Sequence, residues 1–243
     1  MEDRTAFVTG ADHGLGLALT AGLLDRGWTV VAGRYNLQES ALEALRRDGD
    51  HADRLTTVAL DVSDSASVAE AARVTLADHP TIDLVVNNAA ILGNRGLEHR
   101  IADGLDYDSI AETINVNSLG ALRVVEALLP GVERSPMRRL CFVSSEAGSI
   151  ARSHRPNWFG YSMSKCALNM AVSILFNDLR PRGYSFRVYH PGWMQTFMRG
   201  TPDTRATHTP QAAARLALEY FLDLEIDEDR LVMRDDRRDE WPW

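Results

Sequence analysis

The chain has 243 residues and a formal charge of −8, from 26 basic against 34 acidic side chains, with 45% hydrophobic and 25% charged residues. That length suits one large domain with a sizeable core, and the acidic balance argues against wholesale binding to nucleic acid or an anionic membrane. Charged Glu2, Asp3 and Arg4 are followed at once by a strand, which does not read as a secretory signal, and no apolar run approaches the ~20 residues of a membrane span. Cys141 and Cys166 fall in a predicted strand and a predicted helix, as packing residues rather than a disulfide or metal site, and the reducing cytoplasm is the expected compartment.

Residues 5–8 form a short apolar strand, followed by Thr9-Gly10-Ala11-Asp12-His13-Gly14-Leu15-Gly16. A helix is predicted over 15–26, closed by Gly27 as its C-terminal cap. A second strand over 28–33 leads through Arg34-Tyr35-Asn36 into an Arg-rich helix near 37–47. A third strand, 55–60, ends in Asp61-Val62 and precedes an amphipathic helix over 63–78. The fourth, 82–86, ends in Asn87-Asn88-Ala89-Ala90. A loop over 92–106 precedes a helix from about 108 to 129, which Pro130-Gly131 is expected to stop. Leu140-Cys141-Phe142-Val143 reads as a buried strand ending in Ser144-Ser145, and a loop with Gly148, Pro156 and Gly160 leads to a long helix from about Tyr161 to Arg180-Pro181. Strand 185–189 runs into His190-Pro191-Gly192. Residues 193–210 have no clear period and read as a loop or lid over the substrate end. A helix over 211–222 and a last strand over 230–233 precede an Arg/Asp-rich tail ending in Trp241-Pro242-Trp243. Strands alternating with helices, opened by a glycine-rich first turn, predict one α/β domain over 1–243: a Rossmann-type doubly wound parallel sheet of about seven strands with helices on both faces.

Three stretches carry chemistry. Gly10, Gly14 and Gly16, with His13 and Leu15 between them, sit between a strand and a helix, where glycines let a pyrophosphate approach the backbone and the helix start supplies N–H donors. A carboxylate at the end of the second strand would bind the 2′-hydroxyl of NAD, whereas an Arg accommodates the 2′-phosphate of NADP. Here Gly33 is followed by Arg34, with His13 as a second donor, so NADP(H) is the expected cofactor. Tyr161 and Lys165 lie four apart on a predicted helix, hence on one face, where the ammonium can lower the phenol pKa from about 10 toward neutral and fit it for proton exchange. Taken alone, such a pair is usually an ordinary exposed one. But 25 of the 26 basic residues are Arg, and the one Lys is Lys165, where a compact ammonium serves better than a guanidinium fork.

Thr9-Gly10-x-x-x-Gly14-x-Gly16, Asn87-Asn88-Ala89, the Ser145 turn, Tyr161-x-x-x-Lys165 and Pro191-Gly192 occur in an order and spacing that resemble the short-chain dehydrogenase/reductase family, from Thr5 to about Thr196. Ser145-Glu146-Ala147-Gly148-Ser149-Ile150, Ala167-Leu168-Asn169-Met170, Pro191-Gly192-Trp193-Met194-Gln195-Thr196 and the terminal Pro242-Trp243 look most like the sniffer/C-factor-type carbonyl reductases. The resemblance implies a reductase that moves hydride from NADPH to a ketone or aldehyde, or the reverse. Tyr161 would be its general acid/base, Lys165 would tune Tyr161 and bind the nicotinamide ribose, Ser145 would stabilise the oxyanion, and Asn117 would hold a relay water. It further implies that Asp61 and Val62 meet adenine, that Asn87, Asn88 and Ala89 belong to the cofactor cleft, and that Pro191, Gly192, Met194 and Thr196 cup the nicotinamide. Two departures stand out. Ala90 replaces a family Gly, and Ser145 and Tyr161 are 16 residues apart, which expands the loop between them. Ser144 is the neighbouring candidate, but a strand turns only one of the two into the cleft, and Ser145 is chosen.

Trp158, Phe159 and Trp193, with Phe197 and Met198, would suit an apolar or aromatic carbonyl substrate, although core packing explains them equally well. Arg152 or Arg155 turned inward would instead suit an acidic group. The helices 108–129 and 161–179 are apolar over more than one stripe, which suggests a homodimer or homotetramer. Two rival readings stay open: a dinucleotide-binding sensor without turnover, and an alcohol oxidation, dehydration or epimerisation on the same fold.

Overall fold

The computed structural model describes residues 4–38, 40–47, 51–93, 95–196, 198, 203–226 and 229–243. Phe197 and residues 199–202 of the expected lid lie outside them. Strands β1 (Thr5–Thr9), β2 (Thr29–Arg34), β3 (Leu55–Ala59), β4 (Leu84–Asn87), β5 (Arg139–Val143), β6 (Ser185–Tyr189), β7 (Met233–Arg234) and β8 (Glu240–Trp241) form one sheet in the order 3-2-1-4-5-6-7-8. All neighbours are parallel except β7 and β8. Order reverses between β1 and β4, so a crevice opens at their C-terminal ends, where open α/β sheets bind ligands.

Helices α1 (Gly14–Leu24), α2 (Ala41–Arg47) and α7 (Pro210–Phe221) belong to one layer, and α3 (Ser65–Asp78), α4 (Tyr107–Ile114), α5 (Gly120–Val132) and α6 (Phe159–Leu179) to the other. Side-chain alternation along β1 feeds both. Ala6 and Val8 cluster with Leu19, Leu23, Leu218 and Phe221, whereas Phe7 clusters with Val68, Val125, Leu128 and Val172. Strands buried on both faces read as continuous apolar runs, which is why most of them were legible.

Three elements differ from expectation. Pro130 does not stop its helix, since α5 runs to Val132 with Val124, Val125, Leu128 and Val132 buried. A proline in the last turn forfeits one backbone bond, and that apolar face outweighs the loss. The expected helix 108–129 is instead interrupted by a π-helical turn, Asn115–Leu119. The tail adds an antiparallel edge strand, β8, too short and too polar to show a period.

Two guanidiniums lie inside the sheet. Arg187, 1% exposed, donates to the carbonyls of Phe186 (2.8 Å), Ile226 (2.8 Å), Asp223 (3.1 Å) and Tyr220 (3.3 Å). Arg139 donates to Phe221 O (2.8 Å) and Asp223 O (3.0 Å), and burial followed by the neighbouring Arg187 lowers its pKa. The pair gathers carbonyls left open at the C-terminus of α7, where the helix dipole favours cations. Replacing Arg187 by Met orphans several buried carbonyls and is expected to cost roughly 2–4 kcal/mol, a Tm loss of roughly 5–10 °C in a thermal melt.

Candidate active site

The glycine turn is built by close backbone approach. Gly10 has φ +62°, and a Cβ on Gly16 would lie 2.0 Å from Gly10 O, so α1 can start only with glycine there. Gly14, at φ +57°, has open space on its Cβ side. His13 precedes α1 in extended backbone, exposed, and its side chain caps nothing. The first N–H groups of α1 are therefore left without a side-chain cap and aim at the crevice. Asn88 sits behind the turn rather than facing a ligand: its Nδ2 donates to Thr9 O (2.9 Å) and Gly10 O (3.2 Å), while Thr9 Oγ1 accepts from Asn88 N (3.0 Å) and Ala89 N (2.9 Å). Asn87, by contrast, keeps both amide atoms buried without a partner, in a cavity it lines with Thr9, Val62, Ala89 and Lys165. Ala90 takes no left-handed backbone, so its methyl is tolerated. Asp61 accepts from Ser63 N (2.8 Å) and Ser63 Oγ (2.6 Å), which folds the turn after β3, and Arg34 at the end of β2 is ion-paired to Glu43 of α2. An open glycine face, uncapped helix donors and an orphaned buried amide together fit a dinucleotide.

Ser145, Tyr161, Lys165 and Asn117 converge at the C-terminal end of β5. Ser144 turns away and donates to Asn169 Oδ1 (2.6 Å), which leaves Ser145 facing Tyr161. Ser145 Oγ also accepts from Ala147 N (3.1 Å), capping the short turn Glu146–Gly148. A Cβ on Gly148 would meet the Lys165 backbone at 2.8 Å, so glycine lets this turn lie against α6. Lys165 is 2% exposed; its Nζ donates to Val143 O (2.9 Å) and lies 5.8 Å from the Tyr161 ring centre. Asn117, inside the π turn, accepts from Ile91 N (2.8 Å) and donates to Ile91 O (2.8 Å) and Ser164 Oγ (2.9 Å). π turns recur at functional sites, and this one brings the strand-β4 exit against α6.

The expected tuning of Tyr161 by Lys165 is not what dominates here. Burial raises the Tyr161 pKa and Glu146 adds to the rise, while the Ser145 hydrogen bond and Arg155 oppose it. Burial also lowers Lys165 to about 8. Each group is pushed toward its neutral form because desolvation penalises charge.

The mouth is shaped by Trp158, which precedes α6 with φ 64° and ψ 34°, a left-handed backbone rare outside glycine. Its N–H donates to Leu97 O (3.0 Å), its indole donates to Glu98 Oε1 (3.1 Å), and its ring meets Tyr161 edge-on at 6.1 Å. Arg155 stacks on the indole at 4.8 Å and is held by both oxygens of Glu146, while Arg152 stacks on Trp241 at 4.2 Å. Both arginines are thus engaged within the chain. Phe159 opens α6, and Trp193 stands half-exposed, its indole donating to Asp203 (3.2 Å). Gly192, at φ +72°, passes so close to His208 and Asp236 that a Cβ would meet each at 3.2 Å. Those two residues are bonded at 2.6 Å, and His208 N–H donates to Trp193 O (3.1 Å) while Met194 bridges to His208. This fixes the Pro191–Thr196 stretch against the base of the expected lid. Nothing local in the sequence links His208 and Asp236, which stand 28 residues apart.

A family model described as short chain dehydrogenase matches residues 4–206. The chain belongs to the short-chain dehydrogenase family, oxidoreductases that use NAD(P). It is 43% identical over 122 residues to C-signal of Myxococcus xanthus, across 50% of this chain and 70% of that protein. Among solved structures, a short-chain dehydrogenase/reductase of Burkholderia multivorans with bound NADP superposes with TM-score 0.83 at 25% identity, covering 99% of this chain and 100% of the other. The carbonyl reductase Sniffer of D. melanogaster shares the fold at TM-score 0.86 and 20% identity, with both chains covered in full. Among the described residues, no helix is long and apolar enough to cross a membrane.

Lys165 links the site to stability. Its pKa falls from 10.5 to about 8 on folding, so the unfolded chain binds more protons between those values and stability rises with pH across that window. Below pH 8 the buried charge costs about 3 kcal/mol, net of the Val143 bond that the folded pKa already includes. Lys165→Met is therefore expected to be at least as stable as wild type at pH 7 in urea titrations. The difference should shrink as pH rises from 8 to 10.5.

Proposed function

We propose that this chain reduces a ketone or aldehyde with NADPH, or runs the reverse oxidation, as one dinucleotide-binding domain over 1–243. The observation that carries the reading is the convergence of Ser145, Tyr161 and Lys165, with the Ser145 hydroxyl close enough to Tyr161 to lower its pKa against burial and Lys165 held on Val143 O. Gly10, His13, Gly14, Leu15 and Gly16 would hold the pyrophosphate and Arg34 the 2′-phosphate. Asp61 and Val62 would take the adenine; Asn87, Ala89, Pro191, Gly192, Met194 and Thr196 would take the nicotinamide end, with Asn88 bracing the glycine turn from behind. When bound, the cofactor supplies the hydride.

The chain's own residues do the rest. Tyr161 Oη, protonated at neutral pH because burial raises its pKa, gives its proton to the carbonyl oxygen. Ser145 Oγ donates a hydrogen bond to the same oxygen as negative charge develops. Lys165, with a pKa of about 8, carries its charge at pH 7 and favours the tyrosinate left behind. Asn117, with three hydrogen bonds of its own, keeps the wall between the β4 exit and α6 in register. Trp158, Phe159 and Trp193 form an apolar mouth. Because Arg155 is committed to Glu146 and Arg152 to Trp241, a neutral apolar or aromatic carbonyl fits better than an acidic one.

NADPH consumption is measured over a panel of ketones, aldehydes and quinones, with NADH beside it. Tyr161→Phe is expected to lower turnover by about 10²–10⁴-fold while NADPH still binds. Tight NADPH binding by wild type with no turnover across the panel points instead to a sensor, and better turnover with NADH removes the assignment of Arg34.

We also propose self-association through α6. Met163, Met170 and Ile174 are 49%, 62% and 61% exposed and follow one another at helical spacing, so they form an outward apolar stripe. Light scattering at low concentration is expected to give a dimer or tetramer. A 27.0 kDa species alone rejects this.

A further inference from the structure

Arg34 closes β2 beside the turn that carries Asp61, and Leu60 N–H donates to Arg34 O (2.8 Å). Gly33 before it leaves no space for a carboxylate, since a Cβ there would lie 2.5 Å from Leu60 Cδ2. The guanidinium is already engaged: Arg34 Nη1 donates to Glu43 Oε1 on α2. The arginine side chain is 18% exposed and the glutamate 44%, while Glu43 Oε2 is buried without a partner, so the carboxylate lies inward over the arginine. The backbone donors of this corner are taken as well. Asp12, 4% exposed, accepts from Tyr35 N (3.2 Å) and Asn36 N (2.8 Å).

We propose that Glu43 sets the preference of this chain between 2′-phosphorylated and 2′-hydroxylated dinucleotides, by holding Arg34 in an ion pair that a phosphate must open and a hydroxyl need not. The inference rests on the NADP(H) reading above. A phosphate entering this corner meets two carboxylates, Asp12 and Glu43, beside the guanidinium it needs. Each repels it, and Glu43 also competes directly for the arginine donors. Asp12 cannot withdraw without releasing the loop at 35–36. Glu43 can, because its side chain stands on a partly exposed helix and, among the described residues, only Arg34 and the glutamate's own backbone N–H hold its head group. NADPH affinity therefore includes the cost of parting Arg34 from Glu43, and NADH affinity does not. Glu43 is a specificity residue acting through Arg34 rather than a group that touches substrate.

The test is a binding titration without substrate. NADPH and NADH are added separately to wild type, Glu43→Gln and Arg34→Met, following nicotinamide fluorescence. Glu43→Gln is expected to tighten NADPH by about fivefold, the worth of one partly exposed ion pair, and to leave NADH within about twofold. Arg34→Met is expected to weaken NADPH by about tenfold, with little effect on NADH. If Arg34→Met weakens NADPH but Glu43→Gln changes nothing, the role of Glu43 falls and the cofactor reading stands. If NADPH affinity ignores Arg34→Met, both fall together. Equal tightening of both cofactors in Glu43→Gln also overturns the role, because it marks a general loss of negative charge rather than release of Arg34.

Discussion

The site hangs on a buried cation. Lys165 has its ammonium almost wholly out of water, with Val143 O as the bond that receives it, and burial draws its pKa down to about 8. That desolvation is tolerated because the surroundings are built to it. The turn after Ser145 reaches the lysine backbone through Gly148, and the strand end supplies a carbonyl in place of solvent. Tyr161, one helical turn away, shares the same dry environment, so two groups that would titrate close together in water are driven apart, the phenol upward and the ammonium downward. At neutral pH the proposed catalytic pair is thus a protonated phenol beside an ammonium that burial has weakened, a state set by packing rather than by a direct contact between the two head groups.

The other half of the crevice depends on backbone proximity rather than charge. Thr9 Oγ1 and the Asn88 amide tie the β1 and β4 exits together with four hydrogen bonds, and the glycine turn is held in shape by that brace. Residues that look alike in sequence thus divide their work. Asn88 is spent on the scaffold, while Asn87 next to it keeps a buried amide unpaired. The same division separates Ser144, bonded to Asn169, from Ser145 in the cleft, and in both pairs the alternation of a strand and its exit decides which residue faces inward.

This explains what was legible in the sequence. Buried parallel strands announce themselves as apolar runs, motifs at their ends inherit those positions, and the choice of Ser145 over Ser144 needed only alternation. What stayed hidden depends on partners distant in the chain. No local pattern reports that α4 and α5 are joined through a π turn at Asn115–Leu119, since its driving contacts run from Asn117 to Ile91 and Ser164. Pro130 was overruled by the apolar face of α5. The Asp236 bond to His208 and the Glu43 bond to Arg34 are side-chain meetings across elements, and the pull of Lys165 on Tyr161 was overestimated because burial cannot be read from spacing.

Trp158 places stability and the shape of the mouth in opposition at one residue. Its left-handed backbone costs ~1–2 kcal/mol that glycine would not incur. Random substitution judged by folding alone would favour a glycine here. Such a chain would be relieved of that strain and keep every motif of the family, yet it would lose the indole that meets Tyr161, Glu98 and Arg155 together. A relative relieved of this strain would thus differ at the proposed substrate mouth while appearing intact by sequence. Backbone ease and the contacts of the indole pull this one position in different directions.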